Sequence, residues 1–219
     1  RELSKRYRLE RRICEFMLPA KTALVRRAPL VLLWALSFQR KAAIQMARSQ
    51  PPMAQPIAAA TLLEALRTAG VTDVVAVPDT QQRSLIELLQ ESPDIRFIQT
   101  TTEDEAIALA AGLIIGGRRP IVQIQHAGLY ACVNNMRGVA MDGEFPLVFL
   151  IGLLGRDVSK TPRDNFGSMV RLAEPLLETL EIPSHLLDGP EDVGHVIDAF
   201  SEAEERRGPV VLFVGTNTN

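Results

Sequence analysis

The sequence predicts an α/β fold: a doubly wound parallel sheet of about six strands with helices on both faces. Three observations predict it. Short apolar runs bounded by turn residues recur through residues 53–219. Segments of helical periodicity separate them. The runs are apolar nearly throughout rather than alternating, as strands covered on both faces must be.

The first helix is expected from about Ile57 to Thr68, with Leu62, Leu63 and Leu66 on one side and Gly70 just past its end. TDVVAVP (72–78) reads as a strand stopped by Pro78, and Ser84–Leu89 lies in a second helix. IRFIQT (95–100) is the second strand. TEDEAIALAAGLIIGG (102–117) is a third helix closed by glycines, and PIVQIQ (120–125) a third strand. GLYACVNNMRGVAM (128–141) reads as one helix and PLVFLIG (146–152) as a fully apolar strand. Residues 168–180 form another helix, SHLL (184–187) a short strand, 191–206 an amphipathic helix, and PVVLFVG (209–215) the last strand.

Composition excludes several classes. A chain of 219 residues that is 47% hydrophobic is not disordered. Two cysteines, Cys14 and Cys132, make neither a disulfide framework nor a four-thiolate zinc site. The net charge of −2 is an average of two unlike parts. Residues 1–50 carry 12 basic and 3 acidic side chains, and the remainder 12 and 23. The acidic part would be repelled by phosphate, so nucleic-acid binding is not expected there. Residues 29–38 (PLVLLWALSF) are too few to span a bilayer, and QRK directly after them does not suit a cleavage site. Residues 1–52 are expected to be a basic leader outside the fold, with the domain at 53–219.

Ligands of doubly wound sheets bind beyond the carboxyl ends of the strands, so the loops from Pro78, Thr100, Gln125 and Gly152 matter most. Thr102–Glu105 fits a capping box, with Thr102 as N-cap and Glu105 reaching back to it. Glu103 falls instead on the side that carries Ala106, Leu109, Ala110, Leu113 and Ile114, at the crevice, where it serves either the helix dipole or a site. Pro-Asp-Thr at 78–80 suits turn and N-cap chemistry as well as a site. His126, in the turn QHAG, suits anion binding, proton relay or a simple loop hydrogen bond. Asn134 on the next helix contacts a ligand or a partner, or faces solvent. His185 and His195 are expected to be structural, Cys132 a small apolar residue, and Arg118 and Arg119 solvated.

TEDEAIALAAG followed by IIGGRRPIVQIQHAGLYACVNN resembles the pyrimidine-binding domain of thiamine-diphosphate-dependent decarboxylases. VPDT (77–80), QHAGL (125–129) with Asn134, and RLAEPLLETLEIP (171–183) extend the likeness over about residues 57–215. Within that family the chain most resembles the α chain of sulfopyruvate decarboxylase and the front half of phosphonopyruvate decarboxylase. The resemblance implies the thiamine-diphosphate-binding fold. It implies that Glu103 hydrogen-bonds the aminopyrimidine ring of the cofactor and favours the tautomer able to take its C2 proton. It assigns Asp79, Thr80, Gly128 and Asn134 to cofactor contacts, and Thr80 and His126 to the substrate. His126 departs from the polar amide that the resembling chains carry there.

The family holds the diphosphate through Mg²⁺ on a separate domain with a Gly-Asp-Gly motif. That motif does not occur here, and MDGEFP (141–146) lacks its pattern. The resemblance therefore implies half an active site: no metal ligand in this chain, a β subunit carrying the diphosphate and Mg²⁺, and a hetero-oligomer. It also implies a small 2-oxoacid substrate, a cytoplasmic enzyme and no membrane partner. A non-catalytic subunit that keeps the fold for assembly is the alternative left open.

Overall fold

The structure, a computed structural model, describes residues 54–219. The expectations for residues 1–52 lie outside that range. Six strands form one parallel sheet: β1 (Asp73–Ala76), β2 (Arg96–Gln99), β3 (Pro120–Gln125), β4 (Val148–Gly152), β5 (Ser184–Leu187) and β6 (Val210–Val214). Their order across the sheet is β2-β1-β3-β4-β6-β5. All six coincide with the expected runs. The central strands β1, β4 and β6 are buried at every position, and the edge strand β2 is not.

Alternate side chains of each strand enter two separate cores. On one face Val74, Ile121, Val148 and Leu212 pack with α1 (Ala59–Thr68), α2 (Arg83–Glu91) and α8 (His195–Arg206). On the other Val75, Val122, Phe149 and Phe213 pack with α3 (Glu103–Ile115), α4 (His126–Ala131) and α7 (Ala173–Thr179). Burial on both faces explains why the strand runs are apolar without alternation. The order reverses between β1 and β3, which places a switch-point crevice at their carboxyl ends.

Three helical expectations differ from what is observed. The run expected as one helix over 128–141 starts at His126 and divides into α4, α5 (Val133–Asn135) and a π-helical turn, Met136–Met141. Val133, Asn134 and Asn135 are weak helix formers, and single π turns occur often beside functional sites. The helix expected over 168–180 breaks at Leu172 into α6 (Ser168–Arg171) and α7. Pro175 has no N–H to offer the Arg171 carbonyl, so the ladder cannot run through. The helix expected from 191 begins with a 3₁₀ turn, Pro190–Gly194, and ends at Arg207 in the left-handed conformation (φ +54°).

The tail locks the front of the sheet. Asn219 and Ile57 bond through N–H to O at 3.2 Å, Ala59 N donates to Asn219 O, and Thr218 N donates to Gln81 O at 3.0 Å. The last residues thus tie α1 to the loop after β1.

Candidate active site

The loop after β1 is built on Asp79. Its backbone is extended, and its carboxylate caps the 3₁₀ turn Thr80–Gln82 by accepting from Gln81 N at 3.0 Å. The turn chemistry of Pro-Asp-Thr is therefore realised. Asp79 is 1% exposed, and Gln82 Nε2 (3.0 Å) and Gln125 Nε2 (3.3 Å) also donate to it. Its carboxylate lies over Gly152 at the end of β4, where a Cβ would come within 2.9 Å of Asp79 Cγ. Behind it runs a buried amide chain. Gln123 Nε2 donates to Gln82 Oε1 at 3.1 Å, and Gln81 Nε2 donates to Val214 O at 2.7 Å. Sequence reasoning missed these amides. Their signal was Gln123 and Gln125 alternating inside an otherwise apolar strand.

Glu103 opens α3 next to this loop. The buried side of α3 is Ala106, Ile107, Ala110 and Ala111, whereas Leu109 is 37% exposed and Leu113 and Ile114 are only half-buried. The expected stripe is thus rotated by part of a turn. Glu103 keeps its place, because its neighbours one and two turns on are Ala106, Ile107 and Ala110. Its side chain is half-buried and rests on Gly128 in α4. A Cβ at Gly128 would stand 2.5 Å from Glu103 Cδ, inside any allowed contact. The glycine is a close-approach position that lets the carboxylate lie against the α4 backbone.

The capping box is corrected by one residue. Thr102 is the N-cap but makes no side-chain cap bond. Glu105 reaches back to Thr101 instead, accepting from its N–H at 3.0 Å and its hydroxyl at 2.7 Å. Those bonds hold the Glu105 carboxyl below its ordinary range. Glu105 is thereby spent on the helix end, and Glu103 is not.

His126, the first residue of α4, is 3% exposed, and its Nδ1 has no hydrogen-bond partner among the described residues. Burial pushes its pKa down, against the opposing pull of the Asp79 charge and the Gly152 backbone. The imidazole is therefore neutral at pH 7, with one nitrogen unspent. Cys132 is buried, and burial with the Glu103 charge pushes its thiol up to about 12, so it is no nucleophile. Asn134 is exposed and accepts from Arg137 Nη2 at 3.2 Å. The amide that touches the Glu103 helix is its neighbour Asn135, which donates to Asp104 O at 3.0 Å.

Other expected roles change. Arg118 is not merely solvated: its Nε donates to the fully buried Asp73 at 2.8 Å, as Arg96 does at 2.6 Å. Arg119 pairs with Glu204 at 2.5 Å and lies over the Phe200 ring at 4.9 Å. His185 has a carboxylate partner after all, Glu202 at 2.7 Å, and stacks on His195 with ring centroids 5.4 Å apart. Across the sheet front, Arg156 and Asp188 form a paired bridge whose second contact is 2.8 Å. Among the described residues no group of three or more His, Cys, Asp or Glu could hold a metal ion. No helix among them is long and apolar enough to cross a membrane.

Taken together, the switch point presents an available carboxylate resting on a buried glycine, beside a buried imidazole with one unpartnered nitrogen. That set can share a proton with a nitrogen heterocycle and orient a small acid.

Comparison with known proteins gives the family and the fold. Residues 57–170 match the family model described as thiamine pyrophosphate enzyme, N-terminal TPP binding domain. The α subunit of sulfopyruvate decarboxylase from Methanococcus maripaludis is 27% identical over 145 residues, 66% of this chain and 86% of that one. Phosphonopyruvate decarboxylase from Streptomyces viridochromogenes is 30% identical over 148 residues, 67% of this chain but 37% of that protein. The crystal structure of benzoylformate decarboxylase from Polynucleobacter necessarius superposes with a TM-score of 0.58 at 23% identity. It covers 74% of this chain and 30% of that one, and shows the fold.

Proposed function

The chain belongs to the thiamine pyrophosphate enzyme family through its N-terminal TPP binding domain, and from that premise we propose that it is the pyrimidine-binding α subunit of a decarboxylase of small 2-oxoacids. The substrate class is a 2-oxoacid with a second anionic group, such as sulfopyruvate or phosphonopyruvate. Support for the class comes from the names of the relatives. Three relatives named as α subunits align over 79–86% of their own length, which supports a β partner and a hetero-oligomer. In this reading the partner chain holds the diphosphate and Mg²⁺, since no Gly-Asp-Gly motif occurs in this sequence. Exposed apolar side chains, Phe166 at 95%, Met169 and Leu172, support a partner surface as well.

The observation that carries the reading is Glu103 lying on Gly128. A flat aminopyrimidine fits such a place: the carboxylate is half-exposed, its floor has no side chain, and the nearby His126 Nδ1 lacks a partner. When bound, thiamine diphosphate supplies the electron sink for the electrons left as CO₂ departs. Glu103 holds and shares a proton with a ring nitrogen of the pyrimidine. Gly128, buried beneath Glu103, lets that carboxylate lie close against the α4 backbone where the ring meets it. Asp79, whose oxygens are already engaged, keeps the β1 loop rigid and lends it negative charge. Thr80 and His126 orient the acid, the imidazole acting as a neutral hydrogen-bonding group. Asn134, exposed on the following segment, is left for the cofactor or the partner chain.

The test is co-expression with a diphosphate-binding β chain, followed by a thermal melt and a CO₂ assay with Mg²⁺ and thiamine diphosphate. The reading expects a cofactor-dependent rise in melting temperature and CO₂ release from sulfopyruvate or phosphonopyruvate. A stable complex with neither response would sink it.

A further inference from the structure

Twelve basic side chains lie from residue 54 onward. Eleven of them have a carboxylate or carbonyl partner. Arg83 has none among the described residues. Its position is also particular. It opens α2 directly after the turn Thr80–Gln82 and lines a cavity of about 260 Å³ with Pro78, Asp79, Thr80, Ile86 and Glu87. This cavity lies at the carboxyl end of β1, beside the switch point.

Thr80 and Arg83 are three residues apart in one helical stretch, so they sit on the same side, one above the other. The Thr80 hydroxyl also makes no hydrogen bond with the described residues. Two unspent donors thus share one cavity, one of them a permanent cation. The carboxylates of the cavity do not quench it. Asp79 is occupied by Gln81, Gln82 and Gln125. Glu87 lines the wall without coming within the 4.0 Å that would make an ion pair with Arg83.

We propose that Arg83, with Thr80, grips the second anionic group of the substrate and so sets the substrate class. The proposal rests on the decarboxylase reading and deepens it. A tetrahedral sulfonate or phosphonate offers three oxygens. A guanidinium fork takes two of them and a hydroxyl the third, which a lysine ammonium does less well. A 2-oxoacid with an uncharged methyl end gains nothing from Arg83. The cavity, at about 260 Å³ beside the first turn of α2, has room for such a group.

The experiment uses the complex with its diphosphate-binding chain. Arg83→Met should lower kcat/KM for sulfopyruvate and phosphonopyruvate by roughly 10- to 100-fold, and for pyruvate by less than about threefold. Arg83→Lys should fall between Met and wild type. Equal losses on all three acids, or no loss on the dianionic pair, would overturn the proposal. Direct binding separates it from the reading beneath it. The unreactive acid 3-sulfopropanoate should bind the wild-type complex in calorimetry and bind Arg83→Met at least tenfold more weakly, about one charged contact. Equal binding, or none to wild type, overturns the role of Arg83 whatever the turnover. A complex that decarboxylates none of the three acids overturns the decarboxylase reading instead.

Discussion

Gly128→Ala isolates what the Glu103 position is for. Gly128 lies inside α4, where alanine is favoured over glycine by about 1 kcal/mol. Against that, the new Cβ would stand 2.5 Å from Glu103 Cδ, about 0.9 Å short of the 3.4 Å of ordinary contact. Glu103 is half-buried at a helix start and can retreat toward solvent. An off-rotamer retreat costs about 0.5–1.5 kcal/mol. The two terms nearly cancel, so folding stability should change by less than about 1 kcal/mol. Activity should not be spared. A displacement of about 1 Å at a positioned group costs on the order of 100-fold in rate, or ~2.7 kcal/mol in the barrier. The assay is a thermal melt of the variant beside kcat/KM of the reconstituted complex. Gly112→Ala in α3, where a Cβ meets nothing within 4 Å, controls for a general glycine effect on stability. Full activity in Gly128→Ala would refute the reasoning, because the carboxylate would then not need its glycine floor. Unfolding would refute it too, by making the glycine structural.

Gly152→Ala should behave oppositely: Asp79 is buried and triply bonded, so the clash cannot be relieved and stability falls by about 1–3 kcal/mol, read by denaturant unfolding. Wild-type stability there would contradict it. Asp73 is buried, which alone would raise its pKa, but hydrogen bonds from Arg118, Thr72 and Arg96 prevail and hold it below the ordinary value. Its contribution is therefore full above the unfolded pKa of ~3.9 and is lost as pH falls through the lower folded value. Asp73→Asn should cost roughly 2–3 kcal/mol at neutral pH, less than a fully buried pair because both guanidiniums are about half exposed. A penalty that stays constant on acidification would count against this. The His126 imidazole should titrate below ~6.5 in a nitrogen-15 NMR experiment. Because the unfolded chain binds that proton more readily, the stability linked to His126 declines as pH drops below ~6.5. A midpoint at or above that value contradicts the buried, neutral ring.

The strands were legible because most are short apolar runs between turn residues, a pattern that burial on both faces imposes on the central ones. Glu103 was legible for a different reason. Whatever the phase of the α3 stripe, a residue three, four and seven positions before Ala106, Ile107 and Ala110 shares their face. The phase itself was misread because Ile107 and Leu109 are equally apolar, and only the sheet decides which of them is covered. Gln82 and Gln123 were not legible. A glutamine counts as surface in any polarity pattern, and only the fold brings Gln123 within reach of Gln82, to whose side-chain oxygen it donates in the core. Arg118 looked solvated for the same reason, since its partner Asp73 is 45 residues away in sequence. The π turn after α5 and the break at Leu172 show how far local chemistry can still be read: Pro175 announced the second, and nothing so definite announced the first.

The central claim is that a carboxylate of this chain completes an active site whose other half lies on a partner. It is tested most directly by mixing the β chain with wild-type or Glu103→Gln α chain and measuring CO₂ release from sulfopyruvate and phosphonopyruvate. The account predicts turnover only when both chains are present. It also predicts a loss of at least ~100-fold in Glu103→Gln, with the melting temperature of the α chain nearly unchanged. Full activity in the glutamine variant, or activity from the β chain alone, would contradict it.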